Sequence, residues 1–169
     1  MPTSSSSAPA QRAVALDPID RALLAFLQDD GRASYQSLAD QVGLSRPATM
    51  ERVKRLEEAG FITGYAARID RARLGRGVTA FVAVRVPEGP GPESDGLLAW
   101  LAAAPSVLEC HTVAGDDCWV LKVAAPSLEA LEALLRDIKA QGSRVTTRTT
   151  VVLTTQFEKA GVALPADAA

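Results

Sequence analysis

The stretch that decides the reading is Val42-Gly43-Leu44-Ser45-Arg46-Pro47-Ala48-Thr49-Met50-Glu51-Arg52-Val53-Lys54-Arg55-Leu56-Glu57, followed by Glu58, Ala59 and Gly60. Ser45 is a good N-cap, and the residues after it predict a helix over about Arg46–Ala59 that Gly60 ends. Its apolar positions Thr49, Val53 and Leu56 are spaced four and three apart, which places them on one inward face. Arg46, Pro47, Ala48 and Arg52 fall on the opposite face.

Working upstream, a short helix is expected over about Ser34–Val42, with Ser34 as cap and Leu38, Ala39 and Val42 turned inward. Another runs from Pro18 to about Gln28. Asp17 caps it, and Pro18 occupies the first helical position, where its missing N–H costs nothing. Ile19, Leu23, Leu24 and Leu27 form its apolar stripe, and Gly31 follows the acidic pair Asp29 and Asp30. Two helices joined by the tight turn Val42-Gly43-Leu44-Ser45, with a third before them, make a helix-turn-helix arrangement. In that arrangement the second helix of the pair enters the major groove of a duplex. The alternative is a small helical bundle that touches no DNA. Short glycine turns serve both, so the stronger signal is the Ser-capped basic helix that follows.

Charge is distributed unevenly. The whole chain of 169 residues carries a formal charge of −2. From Arg12 to Arg76 there are eleven Lys/Arg against nine Asp/Glu, and from Gly77 onward seven against eleven. Between Ser45 and Leu56 the cations Arg46, Arg52, Lys54 and Arg55 face a single acid, Glu51. An acidic protein can carry a local basic footprint of this kind; a solvated helix face would look the same.

Downstream of Gly60 the pattern changes. Phe61 to Ile69 reads as a β wing or a linking strand, and the basic, glycine-punctuated run Arg71–Gly77 as a boundary. Strands are expected over Val78–Val86, Val107–Ala114, Trp119–Ala124 and Val145–Phe157. Helices are expected over Leu97–Ala104, with Ser94 or Asp95 near its start, and from Ser127 to about Ala140. The core stripe of the last helix is Leu128, Leu131, Leu134, Leu135 and Ile138. Glu88–Pro92 is a Gly/Pro loop, and Gly115-Asp116-Asp117 carries a hairpin-turn signal. The order β-α-β-β-α-β is that of a ferredoxin-like layout, an antiparallel sheet with helices on one face. Strands this apolar need a cover on the other face, and a second subunit would supply it. The fold class is therefore α+β: a winged helix-turn-helix over 15–64, a linker strand over 65–77 and a ferredoxin-like domain over 78–159. Segments 1–14 and 160–169 are expected to be tails.

The chain is 47% hydrophobic, 22% charged and only 5% aromatic, so its cores should be built from Leu, Val, Ile and Ala. It has no run of 18 or more apolar residues, so no membrane partner is expected. Met1 to Ala10, rich in Ser, Pro and Ala, lacks both regions of a signal peptide. Two cysteines, Cys110 and Cys118, make no disulfide framework, and a cytoplasmic location fits.

Four stretches closely resemble the Lrp/AsnC (feast/famine) family of transcriptional regulators. They are Leu16-Asp17-Pro18-Ile19-Asp20-Arg21 with Leu24; Gly31-Arg32 with Leu38-Ala39 and Val42-Gly43-Leu44-Ser45; Glu51 to Glu57 with Gly60-Phe61-Ile62 and Gly64-Tyr65; and Val113-Ala114-Gly115-Asp116 with Leu121-Lys122 and Thr147-Arg148-Thr149. The resemblance covers about Leu16 to Glu158. It implies a DNA-binding regulator that forms homodimers and octamers, with a sensing domain for an amino acid or related metabolite held where sensing domains of different subunits meet. No cofactor is expected beyond that small-molecule effector.

On this reading Arg46 and Arg52 are candidates for base recognition, because a guanidinium can hold guanine O6 and N7 in a bidentate fork. Ser45 and the helix N-terminus suit phosphate. Lys54 and Arg55 would hold the DNA backbone; for Arg55 the alternative is a salt bridge with Glu51 or Glu58. Arg32 is either structural or a phosphate contact. A symmetric dimer presents two such helices, so the operator should be pseudo-palindromic double-stranded DNA.

By resemblance the effector site surrounds Ala114-Gly115-Asp116-Asp117. Asp116 can pair with a ligand ammonium or merely complete the turn, and hairpin N–H groups can hold a carboxylate. Relatives carry a second Asp and then Tyr or Phe where this chain has Cys118 and Trp119, a departure that puts the usual ligand in doubt. Trp119 lines the pocket or sits in the core. Arg148 meets a carboxylate at a subunit interface or pairs with Glu109 or another acid. His111 reads as structural or pocket-lining, since a metal site would need more ligands at defined spacing. Two other readings compete: a ligand-independent architectural DNA binder of the same fold, and an enzyme. The sequence offers no nucleophile beside a base and no phosphate loop to support the enzyme.

Overall fold

The computed structural model describes residues 16–87, 94–142, 144–159 and 161–164. The expected N-terminal tail and the Glu88–Pro92 loop lie outside them. The chain divides into two units. One comprises the described residues up to Ala67 together with Glu158 to Leu164, and the other spans Arg68–Phe157.

Three helices build the first unit: α1 (Pro18–Asp29), α2 (Tyr35–Val42) and α3 (Arg46–Glu58). Each begins on a side chain that satisfies a backbone N–H the helix itself leaves unpaired. The Asp17 carboxylate accepts from Asp20 N at 2.8 Å, while Asp17 N donates back to Asp20 Oδ2 at 3.4 Å, a reciprocal cap. Ser34 Oγ accepts from Ser37 N, and Ser45 Oγ from Ala48 N. Gly43 closes α2 in the left-handed conformation (φ 69°), which a residue with a Cβ adopts only under strain. The turn this makes is what aims α3. Leu23, Leu24, Leu38, Val53 and Leu56 form the core, joined by Ile19, Leu27, Val42, Ile62 and, from the C-terminal segment, Leu164. Truncating one of the fully buried leucines to Ala would cost about 2–5 kcal/mol. Val162 N also donates to the Gln28 side chain, so the segment expected as a free tail at 160–169 returns to this unit through its described residues.

The second unit has the order β1 (Val78–Arg85), α4 (Asp95–Ala103), β2 (Val107–Thr112), β3 (Trp119–Ala125), α5 (Leu128–Ala140), β4 (Thr146–Val151). The strands lie in the order β2-β3-β1-β4, and every neighbouring pair is antiparallel. This is the expected ferredoxin-like sheet. Side chains alternate across it. Ala80, Val82, Val84, Trp119, Leu121 and Val123 pack against Leu97 and Leu101 of α4 and Leu131, Leu134 and Ile138 of α5. The opposite face carries Phe81, Arg85, Glu109, His111 and Arg148, all exposed.

Three expectations need correction. The last strand is expected to reach Phe157 but ends at Val151, opposite Ala80; Val152 N still reaches Thr79 O, and β1, which starts at Val78, has nothing to offer Thr154 to Phe157. The linker strand expected over 65–77 is not a strand. Residues 61–70 form no ladder and 71–75 form turns, since among the described residues nothing pairs with them. Leu128 does not join the stripe of α5; at the first helical position it stays exposed.

Candidate functional site

The outer face of α3 presents Arg46, Pro47, Met50, Glu51 and Lys54, all exposed, while Thr49, Val53 and Leu56 are buried as expected. Ala48 is half-buried. Ser45 supplies both the cap and a carbonyl that accepts from Thr49 Oγ1 at 3.1 Å, which pins the first turn. The guanidinium of Arg46 makes no ion pair among the described residues, and neither does that of Arg32. Lys54 lies 3.5 Å from Glu58 one turn on, a solvated pair worth about 0.3–0.5 kcal/mol.

The other two basic residues behave differently, and one expectation fails here. Arg52, named for base recognition, turns back onto its own protein: Nη1 donates to Asp17 Oδ2 at 2.6 Å and to Asp20 Oδ1 at 2.9 Å. Arg55 Nη2 reaches both oxygens of Asp20, at 2.8 and 2.6 Å. Glu51 and Glu58, the partners considered for Arg55, are not the ones it takes. The physical reason is the burial of Asp20, whose side chain is 1% exposed. A carboxylate that deep must be paired, and α3 brings it two cations, Arg52 and Arg55. Hydrogen bonds from Asp20 N and from Arg52 hold the Asp17 carboxyl below its usual range, and the two acids in turn raise the affinity of Arg52 for its proton.

At the other end of α3, Tyr65 Oη donates to Glu57 Oε1 at 2.9 Å. Partial burial, then this bond to a carboxylate, push the phenol up to about 12.

In the second unit, Val113 N bonds Cys118 O and Cys118 N bonds Val84 O, closing a loop of Ala114-Gly115-Asp116-Asp117. Ala114, Gly115 and Asp116 are exposed, and Gly115 has φ 128°. Asp117 is ion-paired to Arg148 across 31 residues of sequence, so the structure brings together two of the residues named for the effector. Trp119 does not belong with them. It is 2% exposed and part of the core under α4 and α5. As the first residue of β3, opposite Val84, it points to the helical face of the sheet. Cys118 is also buried, its Sγ 3.4 Å from the Val86 carbonyl. His111 is exposed and pairs with Glu109, which also holds Lys122; those bonds keep the Glu109 carboxyl below its usual range. Among the described residues no group of His, Cys, Asp and Glu could hold a metal ion. No described helix is long and apolar enough to cross a membrane.

Fold and site define a two-part DNA-binding and ligand-binding protein, and comparison with known proteins agrees. Residues 16–63 match the winged helix-turn-helix DNA-binding family, and residues 79–162 match the Lrp/AsnC ligand binding domain. The chain is 43% identical over 143 residues to the HTH-type transcriptional regulator LrpA of Mycobacterium tuberculosis, covering 85% of this chain and 93% of that one. It is 37% identical over 139 residues to the leucine-responsive regulatory protein of Escherichia coli K12, covering 82% and 85%. Among solved structures, a feast or famine regulatory protein from M. tuberculosis complexed with L-methionine superposes with a TM-score of 0.76 at 40% identity. That match covers 85% of this chain and 96% of that one. The chain belongs to the Lrp/AsnC family of transcriptional regulators, with a helix-turn-helix that binds DNA and a domain that binds a ligand.

Proposed function

We propose that the protein is a cytoplasmic, amino-acid-responsive regulator. Its α3 reads a pseudo-palindromic operator through Ser45, Arg46, Pro47, Ala48 and Lys54. The observation that carries this is the first turn of α3, where an unpaired Arg46 stands beside a capped, anion-attracting helix N-terminus directly after the Gly43 turn. Arg46 is the base-reading arginine, since its guanidinium is unengaged and Arg52's is not. Lys54 contacts the phosphate backbone, where its loose pair with Glu58 exchanges readily. In a mobility-shift titration, Arg46→Ala should lower the preference for operator over random DNA by about 1–3 kcal/mol. Unchanged selectivity would refute this assignment.

The effector is an amino acid or related metabolite bound at the Ala114–Asp117 loop. Asp116 would take its ammonium, and Arg148 with the loop N–H groups its carboxylate. The methionine complex of the mycobacterial relative supports this class of ligand. The protein works as a homodimer or a larger assembly of dimers. In support, exposed apolar side chains lie on the sheet face away from the helices (Phe81) and along the segments of the second unit that precede and follow the sheet (Ile69, Leu74, Leu153, Phe157). A thermal-shift screen of the twenty amino acids and common keto acids tests the ligand class, because a ligand of the folded state raises the melting temperature by mass action.

A further inference from the structure

Asp20 lies on the inward face of α1, in line with Leu23, Leu24 and Leu27, a place where burial of a lone charge would be prohibitive. It accepts Arg52 Nη1 at 2.9 Å and Arg55 Nη2 at 2.8 and 2.6 Å, with Asp17 N approaching at 3.4 Å. Asp17 completes the cluster by accepting Arg52 at 2.6 Å. Two carboxylates on α1 and two guanidiniums on α3 cancel in formal charge. The partners are 32 to 35 residues apart in sequence, so the cluster joins two helices rather than stabilising either one.

The consequences for DNA are geometric and electrostatic. Arg52 and Arg55 sit on successive rows of α3, so bonds to a common acid restrict both the rotation of α3 about its axis and its slide along α1. Arg46 and Lys54 ride on the same helix, and their reach into a groove depends on that setting. At the same time half of the cations of α3 are withheld from the phosphates. A DNA-binding helix that could use them for sequence-independent affinity instead spends them on orientation.

We propose that Asp20 is a positioning residue for the DNA-reading helix, orienting α3 through Arg52 and Arg55 and suppressing non-specific binding by withholding their charges. This rests on the reading that α3 meets the duplex.

The experiment is a salt titration of the full chain on operator and on random DNA. Each phosphate contact adds about 0.9 to the slope of log K against log salt. Asp20→Asn is isosteric and frees the Arg55 guanidinium, while Arg52 keeps its bond to Asp17. Its slope on random DNA should steepen by about 1, random-DNA affinity should rise several-fold, and operator preference should fall about tenfold. A merely structural role predicts the opposite for random DNA, that specific and non-specific binding fall together as the fold is lost; that result, or an unchanged slope, overturns the proposal. Arg55→Gln, at a half-exposed position, covers the case in which Asp20→Asn does not fold. Its slope should match the parent's, and a slope lowered by about 1 would mean that Arg55 already serves a phosphate and would overturn the proposal. Arg46→Gln separates the two readings. If it leaves the preference for operator over random DNA unchanged, the role of α3 fails, whatever Asp20 does.

Discussion

Arg148 Nη2 on β4 lies 2.6 Å from Asp117 Oδ2 in the loop before β3, and the strand between them in the sheet is β1. The bond spans a strand that neither residue belongs to, so it ties the loop to the far edge of the sheet. The Arg148 side chain is 75% exposed and that of Asp117 only 19%. The pair is thus open to a competitor from the Arg148 side. An incoming carboxylate would share or take the guanidinium, while Asp116, exposed beside it, is left for an ammonium. A wet pair of this kind stabilises by only about 0–1 kcal/mol, so exchange is cheap.

Replacing Asp116 by Ala should abolish the ligand-induced rise in melting temperature while leaving DNA affinity at the parent value. Arg148→Gln should do the same. A variant that still shifts normally with ligand would place the pocket elsewhere.

Phe81 marks the sheet face that a second subunit would cover. Phe81→Asp places a carboxylate beside Lys122 and Thr150, its neighbours across the ladders, and should shift the assembly toward monomer. Sedimentation velocity at micromolar concentration reads this directly, and an unchanged sedimentation coefficient would exclude that face from the interface.

Gly43→Ala forces a Cβ into the left-handed region at φ 69°, with open space around it, so the penalty is conformational. The expected loss is about 1–2 kcal/mol, read as a lower denaturant midpoint with unchanged m-value.

Asp17 predicts a limit of stability in acid. Its folded-state pKa lies below the ordinary 3.8 because Asp20 N and Arg52 stabilise the charged form. The folded state therefore binds this proton less readily than the unfolded chain. The stability so gained is complete above the ordinary value and is lost as pH falls through the depressed one. Unfolding followed from pH 6 down to about 2 should show a decline beginning near 4 that is shallower in Asp17→Asn.

Tyr65 gives the mirror case. With its phenol raised from 10.0 to about 12, its contribution is full below the ordinary value and disappears as pH climbs through the raised one. An ultraviolet titration has only two tyrosines to resolve, and Glu57→Gln should bring the later transition down toward the ordinary range. No movement would remove Glu57 from the cause.

Local rules carried the architecture. Caps at Asp17, Ser34, Ser45 and Ser127 each begin a helix where the sequence implies, and the alternation of Val82, Val84, Leu121 and Val123 identifies the buried face of the sheet. What failed depends on partners distant in the chain. The end of β4 is set by where β1 starts, and a linker reads as a strand only if something pairs with it. Helical periodicity places Arg52 among the outward-facing cations because it counts positions on one helix and says nothing of the acid on the next. A signal was nevertheless present: Asp20 falls three and four residues before Leu23 and Leu24, and an acid in an apolar stripe announces a buried carboxylate that needs cations. Trp119 was ambiguous for a similar reason, since its place beside the loop suits either a pocket or a core, and only the pairing with Val84 assigns it.

Leu164 packs among the residues that hold α1, and Gly161 and Val162 lie against Gln28. Beginning and end of the described chain thus meet in one hydrophobic cluster of the helical unit. Trimming the protein just after its last strand, an innocuous edit on a linear map, would strip a leucine from the opposite terminus and be felt first where DNA is read.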